Sequence, residues 1–212
     1  MNKKYVIFDM DGTLIDSMKY WQSLAGEYLK TKGIPKISQE LFEKIKPMTM
    51  SESAALFVQE FHLSGTPKVV EEEMNQMMDL HYKRDIPLKP GVKVYLHKLK
   101  EEGVSMCVAS ATAEPLMEAC LRRLGVLDCF EFLISCESVG AGKDRPDVYY
   151  EAAKKLGASV QDTAIYEDAL YAARTAKKEG FYVVGIYEES IASRWAEMKE
   201  IADEVILDWR TV

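Results

Sequence analysis

The most restrictive feature of this sequence is the spacing of its apolar runs. One such run, Tyr5-Val6-Ile7-Phe8, stands at the start, and the next does not begin until Val104. From there, runs that read as buried strands ("VSMCVAS", "FEFLIS", "TAIYED", "FYVVGIY") alternate with helical patterns, and a last helix precedes "DEVILDW". Strands alternating with helices imply right-handed crossovers and a parallel sheet. The runs are apolar throughout, as strands covered on both faces must be. The first run has to join this sheet, although its partners begin only near Val104.

Everything between reads as an excursion. A helical pattern starts near Ser17, with Trp21, Leu24, Ala25 and Tyr28 at helical spacing and Gly33 as its stop. "SQELFEKIK" and "SESAALFVQEFH" follow as helices, then a longer one over about 67–84. Met74, Met77 and Met78 lie on one side of it, and such a stripe reads as packing. The expected fold is therefore α/β: a Rossmann-like parallel sheet core flanked by helices, residues 1–16 and 87–212, with an inserted all-helical domain over 17–86.

Composition narrows the class. The chain of 212 residues is nearly half apolar, enough for a sizeable core without staples. Its formal charge of −7 argues against a nucleic-acid protein. Cys107, Cys120, Cys129 and Cys136 form no CxxC pair, so a zinc site is not expected and a reducing cytoplasm is. The apolar run ended by Asp9 is too short for a signal peptide, and no stretch is long enough to span a membrane. A cytoplasmic monomer or weak dimer is the expectation.

In open parallel sheets, ligands bind beyond the carboxyl ends of the strands. Asp9, Met10, Asp11, Gly12 and Thr13 follow the first strand, and Ser110, Ala111 and Thr112 close the second. A loop to Gly142-Lys143 follows "FEFLIS", and Glu167-Asp168 follows "TAIY". The set holds carboxylates, a hydroxyl and a cation, with no His or Cys. Several carboxylates in one place repel unless a cation sits among them, and hard oxygen ligands suit Mg²⁺. A hydroxyl and a lysine suit phosphate oxygens. This reads as a phosphoryl-transfer site with an aspartate nucleophile.

On these residues the sequence resembles the haloacid dehalogenase superfamily, in its phosphatase and β-phosphoglucomutase-like branch. The DxDGT motif is Asp9–Thr13, the second motif Ser110, the third Lys143 in "GKDRPDVYYEAAKKLG", and the fourth Glu167-Asp168. The resemblance implies a Mg²⁺-dependent phosphatase acting on a small phosphorylated metabolite through an aspartyl-phosphate. Asp9 would attack phosphorus, and Asp11 would protonate the leaving oxygen and then deprotonate water. Asp9, the Asp11 carbonyl and Asp168 would hold the metal, with Glu167 binding through water or directly. Ser110, the adjacent Ala111 and Lys143 form the expected phosphate-binding set, and Lys143 would also keep Asp9 ionised. The helical insert would be a cap of the family's first type.

Within that branch, the mutase relatives carry a His after a cap Tyr, where Trp21 follows Tyr20 here, and a cap Arg, where Met50 stands. Phosphoglycolate-type relatives carry a Pro that "DGTLIDSMKYW" lacks. Ala169 stands in motif four where Ser is frequent. Hydrolysis is thus favoured over mutase chemistry, and a non-catalytic ligand-binding role is disfavoured because every chemical position is filled. Met18, Tyr20, Trp21, Lys46 and Met50 are the candidates for substrate selectivity, with packing inside the cap as the alternative for Trp21.

Overall fold

The computed structural model describes residues 3–45, 48 and 50–212. The chain forms two compact units, Met1–Met18 with Ile86–Val212, and Lys19–Asp85.

The smaller unit is helical: α1 (Met18–Thr31), α2 (Gln39–Ile45), α3 (Met50–Phe61) and α4 (Pro67–Arg84). The start of α4 is fixed locally. Pro67 fills a first-turn position, where a missing N–H costs nothing, and the Thr66 hydroxyl accepts from the Val69 N–H. Val70, Met74, Met78 and Tyr82 form its buried stripe, and Met77 is half-buried, so the methionines serve as packing. α1 buries Leu24, Ala25, Tyr28 and Leu29, and the Tyr28 hydroxyl donates to Glu73 of α4 at 2.6 Å. Trp21 is 37% exposed, so it does not fill the interior of this unit. Lys46 lies outside the described residues.

The larger unit is built on β1 (Tyr5–Phe8), β2 (Ser105–Ser110), β3 (Phe132–Ser135), β4 (Thr163–Glu167), β5 (Tyr182–Ile186) and β6 (Glu204–Ile206). All pair in parallel, in the order β3-β2-β1-β4-β5-β6. β1 is central: Tyr5 aligns with Ser105 on one side and Thr163 on the other. Val6, Ile7 and Phe8 are wholly buried, which explains their uninterrupted apolar character. The helices are α5 (Val92–Glu101), α6 (Glu114–Leu124), α7 (Cys136–Val139), α8 (Asp147–Lys155), α9 (Leu170–Lys178) and α10 (Trp195–Ile201). Ala152, Ala173 and Ala176 are buried beside Ile7, Ile165 and Val183, and their small side chains let α8 and α9 lie close to the sheet.

The segment read as a loop before Lys143 contains α7. Ser135 accepts from the Glu137 N–H at its start and left-handed Gly140 closes it. One turn is too short to register as helical periodicity. All four cysteines are free and buried. Among the described residues no helix is long and apolar enough to cross a membrane.

Candidate active site

The loop after β1 is shaped by its own backbone. The Asp9 N–H still reaches the Tyr166 carbonyl of β4 at 2.9 Å. The N–H groups of Leu14 and Ile15 then turn back onto the Met10 carbonyl at 2.9 and 3.1 Å. Gly12 takes φ +79°, and a Cβ there would lie 2.3 Å from Asp168 Oδ2. Only glycine lets the backbone come this close to a carboxylate in this conformation. The buried Thr13 hydroxyl donates to Asp168 Oδ1 at 3.0 Å, tying this loop to the end of β4.

Lys143 is buried, with its ammonium paired to Asp9 Oδ1 and to Glu167 Oε2, the latter at 2.8 Å. Glu167 Oε2 also accepts from the Tyr149 hydroxyl of α8 at 3.1 Å, and its Oε1 from the Ala169 N–H at 3.2 Å. Burial alone would lower the Lys143 pKa, but the Asp9 and Glu167 carboxylates outweigh it and hold the ammonium well above its ordinary value.

Three buried carboxylates, Asp9, Glu167 and Asp168, place oxygens within 4.8 Å of one another. One lysine cannot balance them. Burial pushes the Asp9 carboxyl well above its usual range, the Glu167 charge adds to this, and Lys143 opposes it. Burial and Glu167 likewise push Asp168 up to about 7, against Lys89, the Thr13 hydroxyl and Lys143. Asp9 Oδ2 is buried without a hydrogen-bonding partner among the described residues. An all-oxygen set with excess negative charge and a spare buried carboxylate oxygen fits a hard divalent cation.

The Asp11 carboxylate, whose charge also acts to raise Asp9, bonds to hydroxyls at the end of β2. Its Oδ2 accepts from Thr112 Oγ1 at 2.7 Å, and Ser110 Oγ lies at 3.4 Å. Ser110, last residue of β2, is buried and accepts from the Thr112 N–H at 3.1 Å, while Ala111 is exposed. α6 takes Ala113 as its N-cap, so Ser110 does not serve as that cap. The structure thus gathers Asp9, Lys143, Glu167 and Asp168 into one buried group, and Asp11, Ser110 and Thr112 into a second. The sequence marks Thr13 and Thr112 only as neighbours at strand ends. It does not single out Tyr149, whose hydroxyl reaches Glu167 from α8.

A family model described as haloacid dehalogenase-like hydrolase matches residues 6–186. The chain is 28% identical over 198 residues to a β-phosphoglucomutase of Bacillus subtilis, covering 86% of this chain and 83% of that one. It is also 28% identical over 166 residues to hexitol phosphatase B of Escherichia coli, covering 77% and 74%. A solved structure of an Entamoeba histolytica HAD hydrolase, family IA, variant 3, shares the fold, with a TM-score of 0.79 at 21% identity over 99% of this chain and 95% of that one. The match runs through every strand that carries a site residue, and the chain belongs to the haloacid dehalogenase-like hydrolase family.

Proposed function

We propose that this chain hydrolyses small organic phosphomonoesters through an aspartyl-phosphate on Asp9. The observation that carries the reading is the buried group in which Lys143 spans Asp9 and Glu167 while Asp9 Oδ2 stays unpaired among the described residues. A lysine-braced carboxylate with one free oxygen suits a nucleophile. Asp9 attacks phosphorus, a P–O bond forms to the carboxylate, and the bond to the alkoxide leaving group breaks. Asp11 gives its proton to that oxygen, then takes one from the water that cleaves the acyl phosphate and frees Asp9. Ser110, the Ala111 main chain and Lys143 hold the phosphoryl oxygens.

Mg²⁺ is the proposed cofactor, and when bound it neutralises charge on the phosphoryl oxygens. Asp9, the Asp11 carbonyl and Asp168 would hold it, with Glu167 binding through water or directly. The helical unit is proposed as a cap, with Met18, Tyr20, Trp21 and Met50 as selectivity residues.

A relative named β-phosphoglucomutase keeps mutase chemistry as the competing reading. Met50 and Trp21 support hydrolysis, since a bisphosphate held between two transfers needs charge-assisted contacts. The test is turnover of p-nitrophenyl phosphate with and without Mg²⁺, for the native chain and Asp9→Asn. Metal-dependent turnover abolished in Asp9→Asn is expected; unchanged turnover in that variant rejects the nucleophile. With β-glucose 1-phosphate, release of inorganic phosphate is expected, and appearance of glucose 6-phosphate favours the mutase.

A further inference from the structure

The C-terminal segment reaches back to the catalytic loop. The indole N–H of Trp209 donates to the main-chain carbonyl of Thr13 at 3.2 Å. Thr13 is wholly buried, so its carbonyl needs a donor from the protein, and indole nitrogen can only donate. The same residue's hydroxyl is bound to Asp168, so one peptide connects Trp209 to the acidic cluster.

Trp209 is itself held firmly. It is 4% exposed, and its ring stacks on Tyr166 of β4 with centroids 5.8 Å apart at 14°. Tyr95 lies 5.1 Å away on another side, and the Tyr95 and Tyr166 hydroxyls are 2.6 Å apart. Behind it, the main chain of Trp209 and Arg210 presses on Gly91, where a Cβ would come within 2.6 Å. The Asp208 carboxylate accepts from the Arg210 N–H at 2.9 Å and fixes the local turn. A rigid donor thus meets the loop that carries Asp9 and Asp11. The family match ends at residue 186, so this support comes from a part of the chain beyond it.

We infer that Trp209 is a positioning residue, which fixes the Asp9–Thr13 loop and through Thr13 the Asp168 carboxylate. The inference rests on the functional reading above for its consequence in metal binding and turnover, while its structural part is independent of that reading. Partners behind a metal ligand commonly matter about 10- to 100-fold in affinity or activity.

The test compares the full chain with Trp209→Phe, which keeps an aromatic ring and removes the donor. Tyr95→Phe is the control, because it removes a hydrogen bond in the same aromatic cluster without touching the loop. In metal-free protein, amide exchange at Leu14 and Ile15 should quicken about tenfold in Trp209→Phe and stay native in Tyr95→Phe. By calorimetry, Mg²⁺ binding to Trp209→Phe should weaken about tenfold, with kcat reduced and KM little changed. Tyr95→Phe should lose thermal stability and keep native Mg²⁺ affinity. Native exchange in Trp209→Phe, or equal effects of the two substitutions on the loop, overturns the inference. If the native chain itself binds no Mg²⁺, the metal reading fails, and the exchange rates still decide whether Trp209 anchors the loop.

Discussion

Replacing Gly12 by alanine isolates how closely the first loop must approach Asp168. Two costs arise. At φ +79° an L-residue pays about 1–2 kcal/mol for the left-handed conformation. In addition, the new Cβ would stand 2.3 Å from Asp168 Oδ2 and 2.8 Å from Cγ, so the carboxylate must retreat by about 1 Å. That retreat disrupts the 3.0 Å bond from Thr13, a charge-assisted contact worth about 1.5–3 kcal/mol. The sum is a stability loss of about 2.5–5 kcal/mol. A catalytic group displaced by about 1 Å costs on the order of 100-fold in rate. Gly103→Ala supplies the comparison, since Gly103 sits at φ +76° with nothing within 4 Å of the would-be Cβ. Urea unfolding, Mg²⁺ calorimetry and phosphatase assays on both variants separate the two costs. Gly103→Ala should show only the conformational penalty, with native turnover. Turnover of Gly12→Ala within about threefold of native, against the ~100-fold expected, would refute the argument that Asp168 depends on this approach.

Lys143→Met removes the cation between two buried carboxylates, and breaking a buried pair costs about 3–5 kcal/mol. Urea unfolding measures this loss, and adding Glu167→Gln to the same chain should recover part of it. The Asp168 carboxyl, raised from 3.8 to about 7, gives stability that is complete below its unfolded pKa and is lost as pH rises through about 7. The denaturation midpoint of the metal-free protein should therefore fall between pH 5 and pH 8, and a rise contradicts the assignment. For the same reason, Mg²⁺ added at pH 6 should release protons detectable in weak buffer. Burial pushes the Cys120 thiol up to about 11 and raises Cys107, Cys129 and Cys136 as well. Thiol titration should find these four cysteines unreactive in native protein and reactive after unfolding.

Much of the larger unit was legible because its strands are buried on both faces. Val6-Ile7-Phe8 or Ile165-Tyr166 can be read without any neighbour in view. The order of the strands was not legible, since periodicity says which segments pair with a sheet and nothing about their sequence across it. Lys143 illustrates the same divide. Taken singly it has the character of a solvated surface lysine, and its burial follows only from carboxylates that the chain supplies at Asp9 and Glu167. Tyr149 is not legible in the sequence because its hydroxyl finds Glu167 across a helix–strand contact, and nothing local distinguishes it from Tyr150 beside it, which is exposed. The carbonyl of Thr13 and the indole of Trp209 stand at opposite ends of the chain, and no spacing rule links them.

The central place of β1 also governs the order of assembly. Of the six strands this one is made first, yet its two neighbours are Ser105–Ser110 and Thr163–Glu167, so its hydrogen bonds wait for segments about 100 and 160 residues further along the chain. Pairings of such long sequence separation are slow to close. Of the six strands, β1 waits longest in the chain for its second neighbour, and Val6, Ile7 and Phe8 must be kept from competing partners throughout that delay.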